Sequence, residues 1–183
     1  MSHLGVTHID EGALRYMIEA FGVNSMFDIG CGPGGQVKLA KALGVEAWGI
    51  DRDPAFRSLS ITTEGNVVHD FTAGPLPVLA IAPLASIDLG WCVEFLEHIP
   101  EDALPNVWPT LRQCRYLMLT AAPPGHGGVG HVNEQPWDYW RVLFEQQGYV
   151  VAQTATAELR KASSMERNFI RERGYVLVRI EEW

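Results

Sequence analysis

Three acids each close an apolar run: Asp28 after Met26-Phe27, Asp51 after Gly49-Ile50, and Asp70 after Val67-Val68-His69. The first is followed at once by glycines, in Ile29-Gly30-Cys31-Gly32-Pro33-Gly34-Gly35. A strand that hands over to a helix through glycines makes a nucleotide-binding turn. Glycine permits the tight turn and a close backbone approach, and the first amides of the helix point outward. Gly30-x-Gly32-x-x-Gly35 also fits the dinucleotide pattern, a weak signal by itself. The acids argue against a phosphorylated ligand. A carboxylate two residues before the first glycine repels a pyrophosphate and attracts an ammonium group. In open α/β sheets the ligand lies across the carboxyl ends of the strands, and three carboxylates there suit a cation bearing a ribose and an adenine.

A second set of residues could move protons. His98 follows the fourth apolar run, and His126 and His131 lie in the glycine-rich stretch Pro123–Asn133. Histidine is the usual general base when an alcohol must lose its proton. Each also has a structural alternative: His98 as part of a helical turn, His131 as a polar anchor for its loop. The loop's glycines suit either a mobile lid or a close backbone approach.

These residues need a sheet edge to gather them, and the chain supplies one. Asp10 is placed to cap a helix with Leu14, Met17, Ile18 and Phe21 on one face, and Gly22 stops it. Strands are expected at Ser25–Ile29, Ala47–Asp51, Asn66–His69, Ile87–Cys92, Tyr116–Ala121, Tyr149–Thr154 and Tyr175–Ile180. Between them lie helical patterns at Gln36–Leu43, Pro54–Leu59 and Gln135–Gln147. Ala157–Arg173 is polar and partly helical in pattern, and its Arg160, Lys161, Arg167, Arg171 and Arg173 read as a solvated helix face. Glu101–Gln113 is helical in pattern but carries Pro105 and Pro109, so a break is expected. Alternating strands and helices give an α/β, doubly wound, Rossmann-like sheet, mostly parallel with an antiparallel last strand. With 183 residues and neither linker nor repeat, residues 1–183 read as a single domain.

Composition excludes several function classes. There are 14 basic against 22 acidic residues, a net charge of −8, so no extended nucleic-acid surface is expected. No run approaches the roughly 20 apolar residues of a membrane span. No basic-then-apolar leader opens the chain, so the cytosol is the expected compartment. Cys31, Cys92 and Cys114 form no CxxC pair; reduced thiols are expected, and no structural zinc or other metal site.

With these motifs in order, the chain resembles the class I S-adenosylmethionine-dependent methyltransferases over nearly its whole length. Asp28-Ile-Gly-Cys-Gly-Pro-Gly34 matches the family's first motif, Gly49-Ile50-Asp51 its second strand end, and His69-Asp70-Phe71 with Leu76-Pro77 its third motif. Ile87–Pro100, with its Glu94-x-Leu96-Glu97-His98 ending, matches the fourth-strand motif. The resemblance implies S-adenosylmethionine as cofactor and methyl transfer as activity. It implies that Gly30, Cys31, Gly32 and Gly34 pass beneath the methionine part, with Asp28 near its amino group. It places Asp51, followed by Arg52, at the ribose; Asp70 and Phe71 at the adenine; and Cys92 and Glu94 beside the methionine.

No Asn/Asp-Pro-Pro-Tyr follows the fourth strand and no Pro-Cys supplies a nucleophile, so the expected acceptor is a small molecule or a sugar hydroxyl, methylated on oxygen or nitrogen. Candidate acid–base residues are His131, His98 and His126. Trp137, Tyr139 and Trp140 read as packing. Two other readings stay open: a non-catalytic cofactor-binding partner or sensor, and an NAD-dependent oxidoreductase. The latter lacks a Tyr-x-x-x-Lys pair.

Overall fold

The computed structural model describes residues 8–53, 66–77 and 86–180. Seven strands form one sheet: β1 (Ser25–Ile29), β2 (Glu46–Asp51), β3 (Val67–Val68), β4 (Ile87–Cys92), β5 (Cys114–Leu119), β6 (Tyr149–Val151) and β7 (Tyr175–Arg179). Their order is β3-β2-β1-β4-β5-β7-β6. Neighbours are parallel from β3 through β5, and β7 runs antiparallel to both β5 and β6. The antiparallel last strand is as expected.

β1 lies inside the sheet, between β2 and β4, and is buried along its whole length, as a strand covered on both faces must be. Phe27 and Ile29 join one core with Leu104, Val107, Leu111, Trp140 and Phe144. Met26 joins the other with Ala13, Leu14, Met17, Val37, Leu89, Trp91, Leu159 and Ile170. The two-residue period of the strand thus feeds two hydrophobic layers. Trp140 is among the largest fully buried side chains.

The described helices are α1 (Glu11–Phe21), α2 (Gly35–Ala42), α3 (Trp108–Leu111), α4 (Trp137–Gln146), α5 (Gln153–Ala162) and α6 (Phe169–Arg173). Asp10 caps α1 by accepting the Ala13 amide at 2.9 Å, and Gly22 closes it in the left-handed region. Asp10 is also fully buried and accepts from Ser163 Oγ at 2.5 Å and the Ser164 amide at 2.9 Å, tying the start of the chain to the α5–α6 link. The prolines break Glu101–Gln113 as expected, into a 3-10 stretch at Glu101–Asn106 and the single turn of α3. A second 3-10 turn, Leu96–His98, follows β4.

Two expectations change. β6 ends at Val151 and α5 opens at Gln153, so Thr154 is helical. The reason is that the Ala152 amide still bonds across to Val176 while its carbonyl already accepts the Thr156 amide. The basic residues near the C-terminus are not one solvated face. Arg160 donates to the Gly174 carbonyl and lies 4.7 Å over the Tyr175 ring, and Arg171 donates to the Met165 carbonyl at 2.6 Å. Lys161 stays exposed, paired with Glu158. The helix expected at Pro54–Leu59 lies outside the described residues.

Candidate functional site

The carboxyl ends of β1, β2, β4 and β5 share one edge of the sheet, and nearly every residue singled out for chemistry stands on it. The glycine turn after β1 is built from left-handed positions, with φ of 79° at Gly30, 50° at Gly32 and 81° at Gly34. The amides of Gly30 and Cys31 both bond to the Ile50 carbonyl, which pins the turn to β2. At Gly30 a Cβ would stand 2.8 Å from the Phe95 ring, whereas at Gly32 it would meet nothing within 4 Å among the described residues. The turn is therefore packed on one side and open on the other.

Asp28, the penultimate residue of β1, is 4% exposed, and no described residue hydrogen-bonds to its carboxyl. Burial, and then the nearby charge of Asp51, push its pKa up to about 8. Asp51 behaves differently: its Oδ2 accepts the Gly32 amide and its Oδ1 the Asp53 amide, both at 2.9 Å. Cys31 is buried beside them, and burial followed by the Asp28 and Asp51 charges raises its thiol, so it stays protonated. Asp70 accepts from the Thr72 amide and hydroxyl at 2.9 and 2.8 Å, both on Oδ1. Burial would raise it, but the Thr72 bonds and the charge of Arg52 outweigh that and hold it below the usual carboxylate range. The Phe71 ring is buried, edge-on to His69 and Phe95.

Beyond β4 the chain turns sharply. Cys92 is buried, and Glu94 follows with φ 50°, the one non-glycine residue at positive φ among the described residues. Such a conformation costs roughly 1–2 kcal/mol and persists where surroundings over-determine it. Here they do. The Glu94 amide donates to Thr120 Oγ1 at 2.9 Å, and that hydroxyl donates back to Glu94 Oε1 at 2.8 Å. Arg173, at the end of α6, donates to Glu94 Oε2 at 2.8 Å.

Glu97 is fully buried; its Oε1 accepts the Ala122 amide at 3.1 Å, and its Oε2 has no hydrogen-bond partner among the described residues. Burial, and then the neighbouring Glu94, push it up to about 8. Its backbone carbonyl accepts the amides of Val132 and Asn133. The loop between β5 and α4 thus hangs from the Glu94–His98 segment.

The three candidate histidines come together there. His98 and His131 meet edge to face at 4.8 Å between ring centroids, and His126 lies parallel to His131 at 6.5 Å. His98 Nδ1 bonds to the Gly130 carbonyl at 3.1 Å. His131 Nδ1 bonds to Glu134 Oε1 at 2.7 Å, and Glu134 also accepts the amides of Gly125 and Gly127 at 2.8 and 2.7 Å. A Cβ on Gly128 would stand 2.3 Å from His131 Nε2, so that end of the ring abuts the loop backbone. Of the two uses for the loop's glycines, close approach is the one its hydrogen bonds describe. Trp137 stacks on Tyr175 at 3.3 Å, and Tyr139 donates to Glu101 at 2.9 Å.

Sequence reasoning missed Thr120, Glu134, Arg173 and His8. His8 packs edge-on to Phe169 at 5.0 Å, and burial followed by the Arg167 charge lowers its pKa. Glu97 stood in the quoted motif without a role. Glu134 follows His131 by three residues in a loop, where spacing carries no periodic signal.

A family profile described as a methyltransferase domain matches residues 27–118. The ubiquinone biosynthesis O-methyltransferase of Bordetella bronchiseptica is 31% identical over 115 residues, covering 61% of this chain and 44% of that protein. The chain spans less than half the length of the curated relatives it matches. A SAM-dependent methyltransferase from Archaeoglobus fulgidus superposes with a TM-score of 0.62 at 16% identity, over 92% of this chain and 91% of that one. Magnesium protoporphyrin IX methyltransferase from Synechocystis, with bound SAM, superposes with a TM-score of 0.59 at 18% identity, over 92% and 76%.

Proposed function

The chain belongs to the methyltransferase-domain family, whose cofactor is S-adenosylmethionine, and on that premise we propose that it transfers the cofactor's methyl group to a hydroxyl of a small-molecule acceptor. The observation that carries the reading is the buried, unbonded carboxyl of Asp28 beside Asp51 at the glycine turn. A cationic ligand would satisfy that carboxyl, and a pyrophosphate would not. The likeness to an O-methyltransferase favours a hydroxyl over an amine.

The residues fit the cofactor. The ammonium of its methionine part would meet Asp28. The open side of Gly32 leaves room above the turn formed by Gly30, Cys31, Gly32 and Gly34. Each oxygen of Asp51 already accepts one amide, and a carboxylate has about four acceptor sites, so both ribose hydroxyls would still find partners. Arg52 would flank the ribose, Asp70 and the Phe71 segment the adenine, and Cys92 and Glu94 the methionine side.

When bound, S-adenosylmethionine supplies an electrophilic methyl group that carries its own leaving group. The chain's task is then to hold an acceptor oxygen in line and keep water out. His98, His126 and His131 stand on the acceptor side, where an imidazole would take the hydroxyl proton.

Titration calorimetry with S-adenosylmethionine and with NADH tests the cofactor, and transfer of labelled methyl to a panel of hydroxyl and amine compounds tests the reaction. Binding of NADH alone would return the oxidoreductase reading. Cofactor binding without turnover on any acceptor would favour a partner or sensor role.

A further inference from the structure

One guanidinium joins the Glu94 carboxylate to the His126 ring. Arg173 grips Glu94 through Nη2 to Oε2 at 2.8 Å and Nε to Oε1 at 3.2 Å. The same Nη2 lies 3.4 Å from His126 Nε2. A guanidinium has donors only, so in this contact His126 Nε2 can serve only as the acceptor. The other sides of the cation are occupied: the Phe169 ring lies 5.1 Å from it and Glu172 stands 3.9 Å from Nη1. Its side chain is 15% exposed and that of Glu94 13%, whereas His126 is exposed. Glu94 is itself fixed by Thr120. A rigidly anchored cation therefore aims one donor at an accessible base, across a gap that is long for a hydrogen bond.

We propose that Arg173 and His126 form the acceptor-binding pair, and that the acceptor is an acidic hydroxyl, a phenol or an enol. The proposal rests on the methyl-transfer reading above and narrows it. The hydroxyl displaces the direct contact between Arg173 Nη2 and His126 Nε2, and its oxygen bonds to each of them from the open side. Its O–H bond breaks, the proton passes to His126 Nε2, and Nη2 donates to the oxyanion that remains. With S-adenosylmethionine bound, that oxygen would take the methyl carbon as its carbon–sulfur bond breaks, the bonding pair staying on sulfur. His126 then returns its proton to water.

The pairing is selective. A guanidinium favours an oxygen that gains negative charge and disfavours an amine that becomes positive. A phenol ionises near pH 10, within reach of such stabilisation, whereas a sugar hydroxyl is far less acidic. Around the pair stand Glu94, Glu97 and Glu172 from one side, His131 beside His126, and His8 across Phe169. Of the acids, Glu97 is raised, by burial and then by the charge of Glu94.

The probe is 4-nitrophenol, whose phenolate is yellow. Bound to the protein it should ionise about one pH unit lower than free in solution, roughly a tenfold change in its ionisation constant. Arg173→Gln should abolish that shift, and Arg173→Lys, which keeps the charge but not the fork, should retain part of it. Thermal melts establish that both variants fold. Failure of the dye to bind the wild type, or equal ionisation in wild type and Arg173→Gln, overturns the proposal. Kinetics add a second test. Arg173→Gln should lower kcat with phenols near neutral pH, and the loss should shrink as pH rises. Preference for amines, or a loss equal at every pH, also overturns it. The dye titration needs no methyl transfer, so failure of wild-type cofactor binding would sink the reaction while leaving the acceptor pair to be judged on its own signal.

Discussion

Asp51 Oδ2 accepts the amide hydrogen of Gly32 at 2.9 Å, so the acid that ends β2 holds the glycine turn that ends β1. The two residues are 19 apart in sequence and share one edge because β1 and β2 pair in parallel register. The relation makes Asp51 both a brace for the turn and a partner for whatever lies on it.

Asp51→Ala should weaken S-adenosylmethionine binding by at least roughly 10- to 100-fold, since the loss of even one hydrogen bond to a charged group costs about 1.5–3 kcal/mol. Calorimetry reads the loss directly. Affinity equal to wild type would remove Asp51 from the cofactor site.

The raised acids give the protein an unusual pH dependence. Asp28 moves from 3.8 and Glu97 from 4.5, each up to about 8, chiefly through burial. Between those values the folded state holds more protons than the unfolded chain, so stability falls as pH rises. It levels off above about 8, where both acids are ionised in both states. Each raised unit is about 1.4 kcal/mol per acid, so chemical denaturation of the cofactor-free protein should lose several kcal/mol, up to about 8, between pH 5 and pH 8. Glu97→Gln mimics the neutral acid and should flatten part of that slope. Glu97→Ala strands the Ala122 amide and should cost about 1–3 kcal/mol at any pH. A slope unchanged in Glu97→Gln would show that this acid is ionised in the fold.

The same shift couples cofactor binding to protons. A cation arriving at Asp28 favours its ionised form, so binding at pH 7 should release about one proton, and affinity should rise toward tenfold per pH unit below 8. Calorimetry in two buffers of different ionisation heat counts that proton. Asp28→Asn should remove both the release and the slope. If the variant still releases a proton, the coupling lies elsewhere.

The acids were legible because each ends an apolar run, and a parallel sheet brings such ends to one edge. Ser25–Ile29 and Ile87–Cys92 stop in the structure where their apolar runs stop in the sequence. The acceptor side was not legible. Arg173 meets Glu94 across 79 residues, from a five-residue helix whose charges read as a solvated face. Nothing local marks such a contact; it exists because β7 inserts between β5 and β6 and carries the end of α6 to the sheet edge. Glu134 was hidden for a related reason. Its three partners sit in a loop, where bonding follows backbone geometry and no period announces it.

Glu134 gives a test of that loop. Glu134→Ala removes the acceptor for two loop amides and for His131 Nδ1 together. Hydrogen exchange at Gly125 and Gly127 should accelerate, with little change in the β1–β4 core. Glu134→Gln, which keeps an acceptor oxygen, should slow that exchange again. Exchange unchanged in the alanine variant would mean that other contacts hold the loop.

Gly32 separates a role in binding from a role in folding. Its φ of 50° disfavours any side chain, yet a Cβ there would meet open space within 4 Å. Gly44, after α2, shares both properties, with φ 85° and nothing nearby, but lies away from the acid-lined edge. Gly32→Ala and Gly44→Ala should therefore each cost about 1–2 kcal/mol of stability for the left-handed backbone, a drop of a few degrees in Tm. Only Gly32→Ala should also reduce S-adenosylmethionine affinity, by tenfold or more on the order of 1.4 kcal/mol, because its methyl group would fill space the cofactor needs. Equal affinity in the two variants would mean that the turn is a structural corner and that the cofactor rests elsewhere along the edge.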